Sequence, residues 1–464
     1  MSNSWILTAP RIQAPLEPEF RPAVLANRTF RNAARATGNP RPLVLGLQRG
    51  DGSVSRYETV ILPEDHPQAK ANLFYAERLL KFLLWQRGAC KVYVGGSEPV
   101  GQYLAECYKE GGSRAFDATF MGEQVYEHPF EVICCTVAQT PPTRETTRPL
   151  GRHLEGCRIG FDLGASDRKV SAVIDGEAVY SEEVIWEPRK QTDPKYHYEE
   201  VMASIRTAAS KMPRVDAIGG SSAGVYINNR AMVASLFRGI PIERFGEVKD
   251  MFLRIGQELG VPLVIVNDGE VTALAGSMSL EDNGVLGIAM GSSEAGGYVT
   301  LDGNITGWLN ELAFCPIDYN PEASVDEWSN DYGVGARYFS QQCVFRLAER
   351  AGLELPEGVT DAEKLKVAQD ALHAGHEGAR KIWESIGVYL GYGLAHYAEF
   401  YDLRHVLILG RCTSGDGGDI ILNGAMDVIK REFPEIADNV NIQLPDEKSR
   451  RVGQSIAAAS LPEL

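Results

Sequence analysis

The sequence predicts an α/β protein of more than one domain, and three observations carry that reading. Strand, glycine turn and helix alternate from about residue 157 to the end, the pattern of sheets covered by helices. Residues 139–156 (QTPPTRETTRPLGRHLEG) have no apolar period and combine proline, threonine, charge and glycine, which marks a linker. The length of 464 residues exceeds what one core usually organises. A composition of 44% hydrophobic and 23% charged residues excludes a disordered chain.

Residues 1–156, linker included, read as a small α/β unit. PLVLGLQRGDGSVSRYETVIL reads as two strands joined at Asp51-Gly52, a hairpin dipeptide. NLFYAERLLKFLLWQRG reads as an amphipathic helix ended by Gly88. KVYVGGSEPVGQYLAECY reads as strand, turn and helix, with Ser97 as N-cap and Pro99 near the start. Gly95-Gly96-Ser97 is better read as a tight turn than as an anion cradle, because Glu98 would repel the anion.

After the linker, CRIGFDLG is an apolar strand entering a glycine turn, and KVSAVIDGEAVYSEEVI continues as strands. YHYEEVMASIRTAASKM is a helix, VDAIGG a strand, VKDMFLRIGQELG a helix and PLVIVND a strand. VTALAGSMS is a helix, and VLGIAMG and GGYVTLDGNI are strands. ARKIWESIGVYLGYGLAHYAEFYD is a long helix, with Trp383 and Tyr389 as packing residues. HVLILG is a buried strand, ILNGAMDVIKREF a helix, NIQLP a strand and RVGQSIAAASL a closing helix.

Charge and cysteine usage exclude several functions. Lys plus Arg is 46 against 62 Asp plus Glu, a net charge of -16 that repels phosphate backbones and anionic lipid. No dense basic run and no winged-helix pattern offsets it, so neither nucleic acid nor membrane is an expected partner. No apolar run approaches the ~20 residues that span a bilayer. The start, MSNSWILTAPRIQAPLEPEF, lacks a basic region followed by an apolar one. The 8 cysteines are scattered without a CxxC, as expected of reduced thiols in a cytoplasmic protein.

The chemistry is concentrated in the glycines. Three glycine-rich turns follow strands: FDLGAS at 161–166, GSSEAGG at 291–297 and GRCTSGDGG at 410–418. Backbone amides in such turns approach phosphate oxygens closely, and serine hydroxyls add donors. Between the first two lies VNDGEVTALAG, an Asn-Asp pair opening a helix. Taken alone, Asp268 is an N-cap, Asp162 a turn former and Asn228-Asn229 plain turn residues.

As a set these motifs resemble a known family. IGFDLGASDRKVSAVIDG is similar to the first phosphate motif of the hexokinase–actin–Hsp70 superfamily. VNDGEVTALAG, followed by VLGIAMGSSEAGGYVTLDG, resembles the ROK family of sugar kinases and repressors, and GWLNELAF resembles its Glu-x-Gly-His stretch. The resemblance covers residues 157–464. It implies two ribonuclease-H-like lobes around a cleft, at 157–284 and 285–464, preceded by the small α/β unit, with the final helix able to return to the first lobe.

The resemblance also implies an ATP-dependent sugar kinase with Asp268 as general base. Asn267, Glu311, Asn228, Asn229 and Glu327 would hydrogen-bond the sugar. Asp162 would hold Mg²⁺ through water. Gly164, Ser166, Lys169, Gly291, Ser292, Ser293, Gly296 and Gly297 would face phosphates, and Gly410, Gly415, Gly417 and Gly418 would lie beside the adenosine. A homodimer is a further implication. The alternative is a catalytically weak or inactive sugar-binding regulator, and departures from the family pattern motivate it. Ala165, Ser293, Glu294 and Ala295 stand where the family's loops carry smaller or apolar residues, and Glu294 adds a repelling charge. Phe314 replaces the histidine, and the cysteine-rich segment of the family is missing, so no structural zinc is expected.

Overall fold

The computed structural model describes residues 3–145, 147–148, 150–164, 166–445 and 447–464. Ala165 lies outside them. The chain divides into two compact units. One comprises Thr147–Gly287, Gly297–Thr306 and Pro445–Leu464; the other comprises Met1–Thr146, Ile288–Gly296 and Gly307–Leu444. The segment before the linker thus shares a unit with the helices of the C-terminal half.

The first of these units is built on a five-stranded sheet in the order Leu263–Asn267, Ala217–Ser222, Cys157–Leu163, Asp167–Ile174, Glu177–Ile185. The first three strands run parallel and the last two antiparallel. Parallel strands covered on both faces read as apolar runs, which is why CRIGFDL and LVIVN were legible. Ile159, Phe161, Ile218 and Ile265 pack with Phe252 and Ile255 of the helix Met251–Leu259. On the sheet's Gly160 and Gly219 sits the closing helix Glu447–Ala459: a side chain at either glycine would strike the carbonyl of Ser455 or Ala458. The helix Asp268–Leu280 packs on the same closing helix, where Gln454 donates to the Thr272 hydroxyl at 2.8 Å. Within the expected linker, Thr147–Arg148 pairs as a short strand with Ile305–Thr306.

In the second unit a four-stranded sheet runs Val54–Ile61, Arg41–Gln48, Lys91–Gly95, Glu131–Cys135. The Asp51-Gly52 hairpin is present, with Gly52 at φ 79°. The turn at Gly95-Gly96-Ser97 is tight, and Ser97 caps the next helix in position without a side-chain hydrogen bond. The helix Ala71–Arg87 departs from expectation. It is not amphipathic but buried on almost every face, including Glu77, Arg78, Lys81, Gln86 and Arg87. Those polar residues mimic a solvent-facing stripe in the sequence and are instead paired inside. The helices Glu377–Tyr397 and Asp416–Glu432 approach closely at Gly387, Gly391 and Gly424, and Trp383 and Tyr389 are buried as expected. Helices Ala23–Ala36, Gln341–Ala348 and Asp361–His373 were not read from the sequence. No described helix is long and apolar enough to cross a membrane.

Candidate active site

Three parallel strands of the first unit end together, and each ends in polar residues. Asp162 lies in register with Ser221, and Ser222 with Asn267, which precedes Asp268. Ligands of open α/β sheets bind outside the carboxyl ends of such strands. The Ser221 hydroxyl donates to Asp162 Oδ1 at 2.7 Å, and Lys169, across the antiparallel pair, brings its Nζ to 4.0 Å from Asp162 Oδ2 and 3.0 Å from Asp167 Oδ1. Asp167 is therefore ion-paired with Lys169, and its charge still acts on Asp162. Ser221 was missed as a candidate. Its signal was present, since AIGGSS is an apolar strand that turns polar only at its carboxyl end.

Asp268 opens the helix Asp268–Leu280, where the Gly269 amide donates to both Asn267 Oδ1 (2.7 Å) and Asp268 Oδ1 (3.0 Å). Burial, reinforced by the charge of Asp162, pushes the Asp268 carboxyl up to about 6. Burial also holds Asp162 above the ordinary carboxylate range, partly offset by the Ser221 hydrogen bond and Lys169. Two half-buried carboxylates held above their ordinary range, one raised in part by the charge of the other, suit a site for proton or cation chemistry. Tyr226, on the neighbouring hairpin, is pushed up by burial and feels both charges.

The predicted sugar ligands separate. Asn267 is the cap of the helix and its amide also donates to the Gly224 carbonyl at 2.8 Å. Asn229, at φ 64°, donates to the Leu263 carbonyl (2.7 Å) and accepts from the Ile265 amide (3.0 Å), so its side chain pairs with a strand edge. Asn228 is exposed at φ 51°. In the other unit Glu311 is half-buried with its amide donating to the Trp85 carbonyl at 3.0 Å, and Glu327 is exposed on a loop.

The phosphate candidates divide into open turns and packed glycines. Gly164 binds the Asp167 carbonyl through its amide at 2.9 Å and accepts from the Trp186 indole, and Ser166 is exposed with its hydroxyl on Asp167. In the second unit Gly291 closes a tight turn onto Ser293 (3.0 Å), and Ser292 and Ser293 are exposed. A side chain at Gly291 would meet nothing nearer than 3.8 Å, so this turn is open to a ligand. Gly410, at φ 107°, lies directly on the Met290 backbone, where no side chain fits, and so brings the third turn beside the second. Gly415 is open, with nothing within 4 Å.

The remaining glycines are closely packed. Gly296 lies against Leu312, and in the first unit Gly297 lies against the Gly269 carbonyl at the head of the Asp268 helix. Gly417 and Gly418 are not turn residues but the buried first turn of the helix Asp416–Glu432, against Trp383 and the Thr413 carbonyl. Glu294 is corrected most clearly. Its carboxyl points into the core, accepts from the Tyr397 hydroxyl at 2.8 Å and is pushed by burial up to about 8. Burial disfavours its charged form, and the carboxyl is turned to Tyr397 rather than exposed at the 291–293 turn.

The oxygen donors of Asp162, Asp268 and Ser221 suit a hard cation such as Mg²⁺. The open 291–293 turn suits phosphate oxygens. Among the described residues no cluster of three or more His, Cys, Asp or Glu is arranged to hold a metal by itself.

Parallel strands ending in paired carboxylates, in a two-unit α/β chain, define a fold class shared with solved ROK-family structures. A ROK-family transcriptional regulator, described as a homolog of the E. coli MLC protein, matches with TM-score 0.53 and 17% identity over 66% of this chain and 79% of its own. The ROK hexokinase from Thermus thermophilus matches with TM-score 0.50 and 15% identity over 65% of this chain and 97% of its own. What is shared is the fold. No family model matches the sequence, and no curated protein matches it.

Proposed function

We propose that this protein transfers the γ-phosphoryl group of ATP to a hydroxyl of a hexose or hexose derivative, with Asp268 as general base. The observation that carries this reading is the Asp268 carboxyl, set at the end of a parallel strand and pushed up to about 6 by burial and by the charge of Asp162. A base with that value is largely ionised at neutral pH and still basic enough to accept a hydroxyl proton. Asp268 takes the proton of the attacking hydroxyl as its oxygen bonds to the γ-phosphorus and the bridging bond to ADP breaks. Asp162 would hold Mg²⁺ through water, and the bound ion would neutralise charge on the transferred group. The exposed Ser292-Ser293 turn and the Gly410 and Gly415 turns are the elements proposed to hold the nucleotide. Glu311 and Glu327 are proposed to hydrogen-bond sugar hydroxyls, and Asn267, the cap of the Asp268 helix, to hold Asp268 in place. The test is ADP release with ATP, Mg²⁺ and a panel of sugars: turnover with one sugar class supports the reading, and none with any sugar overturns it.

A second reading is a sugar-binding regulator without turnover. The fold shared with a transcriptional regulator favours it. Sugar-induced thermal stabilisation without ADP release would establish it in place of the first.

A further inference from the structure

The helix Ala71–Arg87 belongs to the segment that precedes the linker, yet it touches the stretch that carries Glu311 at four levels. Its last-turn carbonyls have no partner within the helix. Two of them accept from that stretch: Asn310 donates to Gln86 at 2.8 Å and Glu311 donates to Trp85 at 3.0 Å. The Trp85 ring packs on Phe314 with centroids 4.4 Å apart. Cys315 Sγ lies 3.6 Å from the Phe82 carbonyl.

The fourth level is ionic. Arg78 and Lys81 are fully buried on this helix, and Asp331, from the loop after Glu311, is 2% exposed. Asp331 meets Arg78 at 3.2 Å, Arg114 at 2.9 Å and Lys81 at 3.8 Å. Glu77 pairs with Arg78 and Arg114, and Asp117 pairs with Lys81 and accepts from the Trp85 indole at 2.8 Å. Three cations thus face three anions, five of the six buried and Arg114 partly exposed. Asp331 is the one member supplied by the loop, and it is shared by all three cations. Removing its charge leaves the cluster one positive charge in excess. Any arrangement of the joined segments that leaves one of these buried charges without its partner is strongly disfavoured.

We infer that residues 71–117 are a built-in positioning element for acceptor recognition: the Arg78–Lys81–Arg114 cluster, closed by Asp331, and the end of the helix at Trp85-Gln86 hold the 310–334 segment so that Glu311 is presented to the sugar. Asp331, Lys81 and Trp85 are positioning residues, and Glu311 is the contact. The inference rests on the sugar reading of Glu311 given above.

Two readouts separate the inference from that reading. In the full chain, Asp331→Asn keeps the shape and removes the charge. The expected result is a rise of at least about tenfold in KM or binding constant for the sugar, with the KM for ATP unchanged. Hydrogen exchange at the Asn310 and Glu311 amides should quicken in the same variant. Trp85→Phe, which keeps a ring and loses the indole donor, should shift the sugar constant in the same direction and less, and serves if Asp331→Asn does not fold. Unchanged sugar constants in a folded variant overturn the inference, as do unchanged exchange rates at 310 and 311. A wild-type protein without any sugar response, whose variant still exchanges faster, overturns the acceptor role and leaves the cluster purely structural.

Discussion

Two charge sets, one around Asp331 and one around Asp162 and Asp268, are built in opposite ways. In one, Arg78, Lys81 and Arg114 balance Glu77, Asp117 and Asp331, and the members are joined by short contacts. In the other, Asp162 raises Asp268, Asp167 raises Asp162, and the half-exposed Lys169 faces Asp162 at 4.0 Å. The balanced set resists change and defines geometry. The unbalanced set carries a standing excess of negative charge, which a proton or a cation relieves. That contrast separates a structural charge cluster from a reactive one more sharply than burial alone.

The largest effect should come from breaking the balanced set. Lys81→Met leaves Asp117 and Asp331 short of a cation and is expected to cost about 3–5 kcal/mol of stability by denaturant unfolding. Asp268→Asn should do the reverse. It is expected to lower phosphoryl transfer by roughly 100-fold or more in an ADP-release assay, the usual range for a general base. It should also stabilise the fold by roughly 1–2 kcal/mol at pH 7 after allowance for solvent screening. The sign follows from the raised carboxyl: the folded state holds its proton to about pH 6, so stability falls as pH rises from the ordinary carboxylate range through 6. Activity should climb through the same interval, because the base works ionised. A pH–rate profile without an acid limb near 6 would remove Asp268 from that role.

Smaller effects sharpen the contrast. Gly297→Ala forces a methyl group against the Gly269 carbonyl and should cost about 1–3 kcal/mol, with lowered turnover because the head of the Asp268 helix shifts. Ser221→Ala removes the hydrogen bond to Asp162 and should cost about 1 kcal/mol in thermal unfolding. If Ser221→Ala proves as damaging as Lys81→Met, the two charge sets are not distinct in kind.

Much of this was legible in the sequence, for identifiable reasons. Apolar runs such as CRIGFDL and HVLIL, entering glycine turns, announce buried strands because few other elements need that pattern. Asp162 and Asp268 were legible because each sits where such a strand stops. Other residues misled. Gly296, Gly297, Gly417 and Gly418 look like phosphate-loop glycines, but a glycine that admits a ligand and one that admits a neighbouring backbone are written with the same letter. Asn229 reads as a turn residue or a sugar ligand and Glu294 as a charge at the phosphate loop, and each turns inward to a partner distant in the chain.

By itself the sequence determined the α/β class, the order of most elements and the positions of the two carboxylates, because local periodicity and strand-end polarity encode them. Only the tertiary structure decided that Glu294 is buried on Tyr397, that Ser221 supports Asp162, and that the helix Ala71–Arg87 holds the Glu311 segment. Each of these depends on which charge or carbonyl lies opposite across the fold. That is a long-range pairing, and the periodicity of a single chain does not carry it.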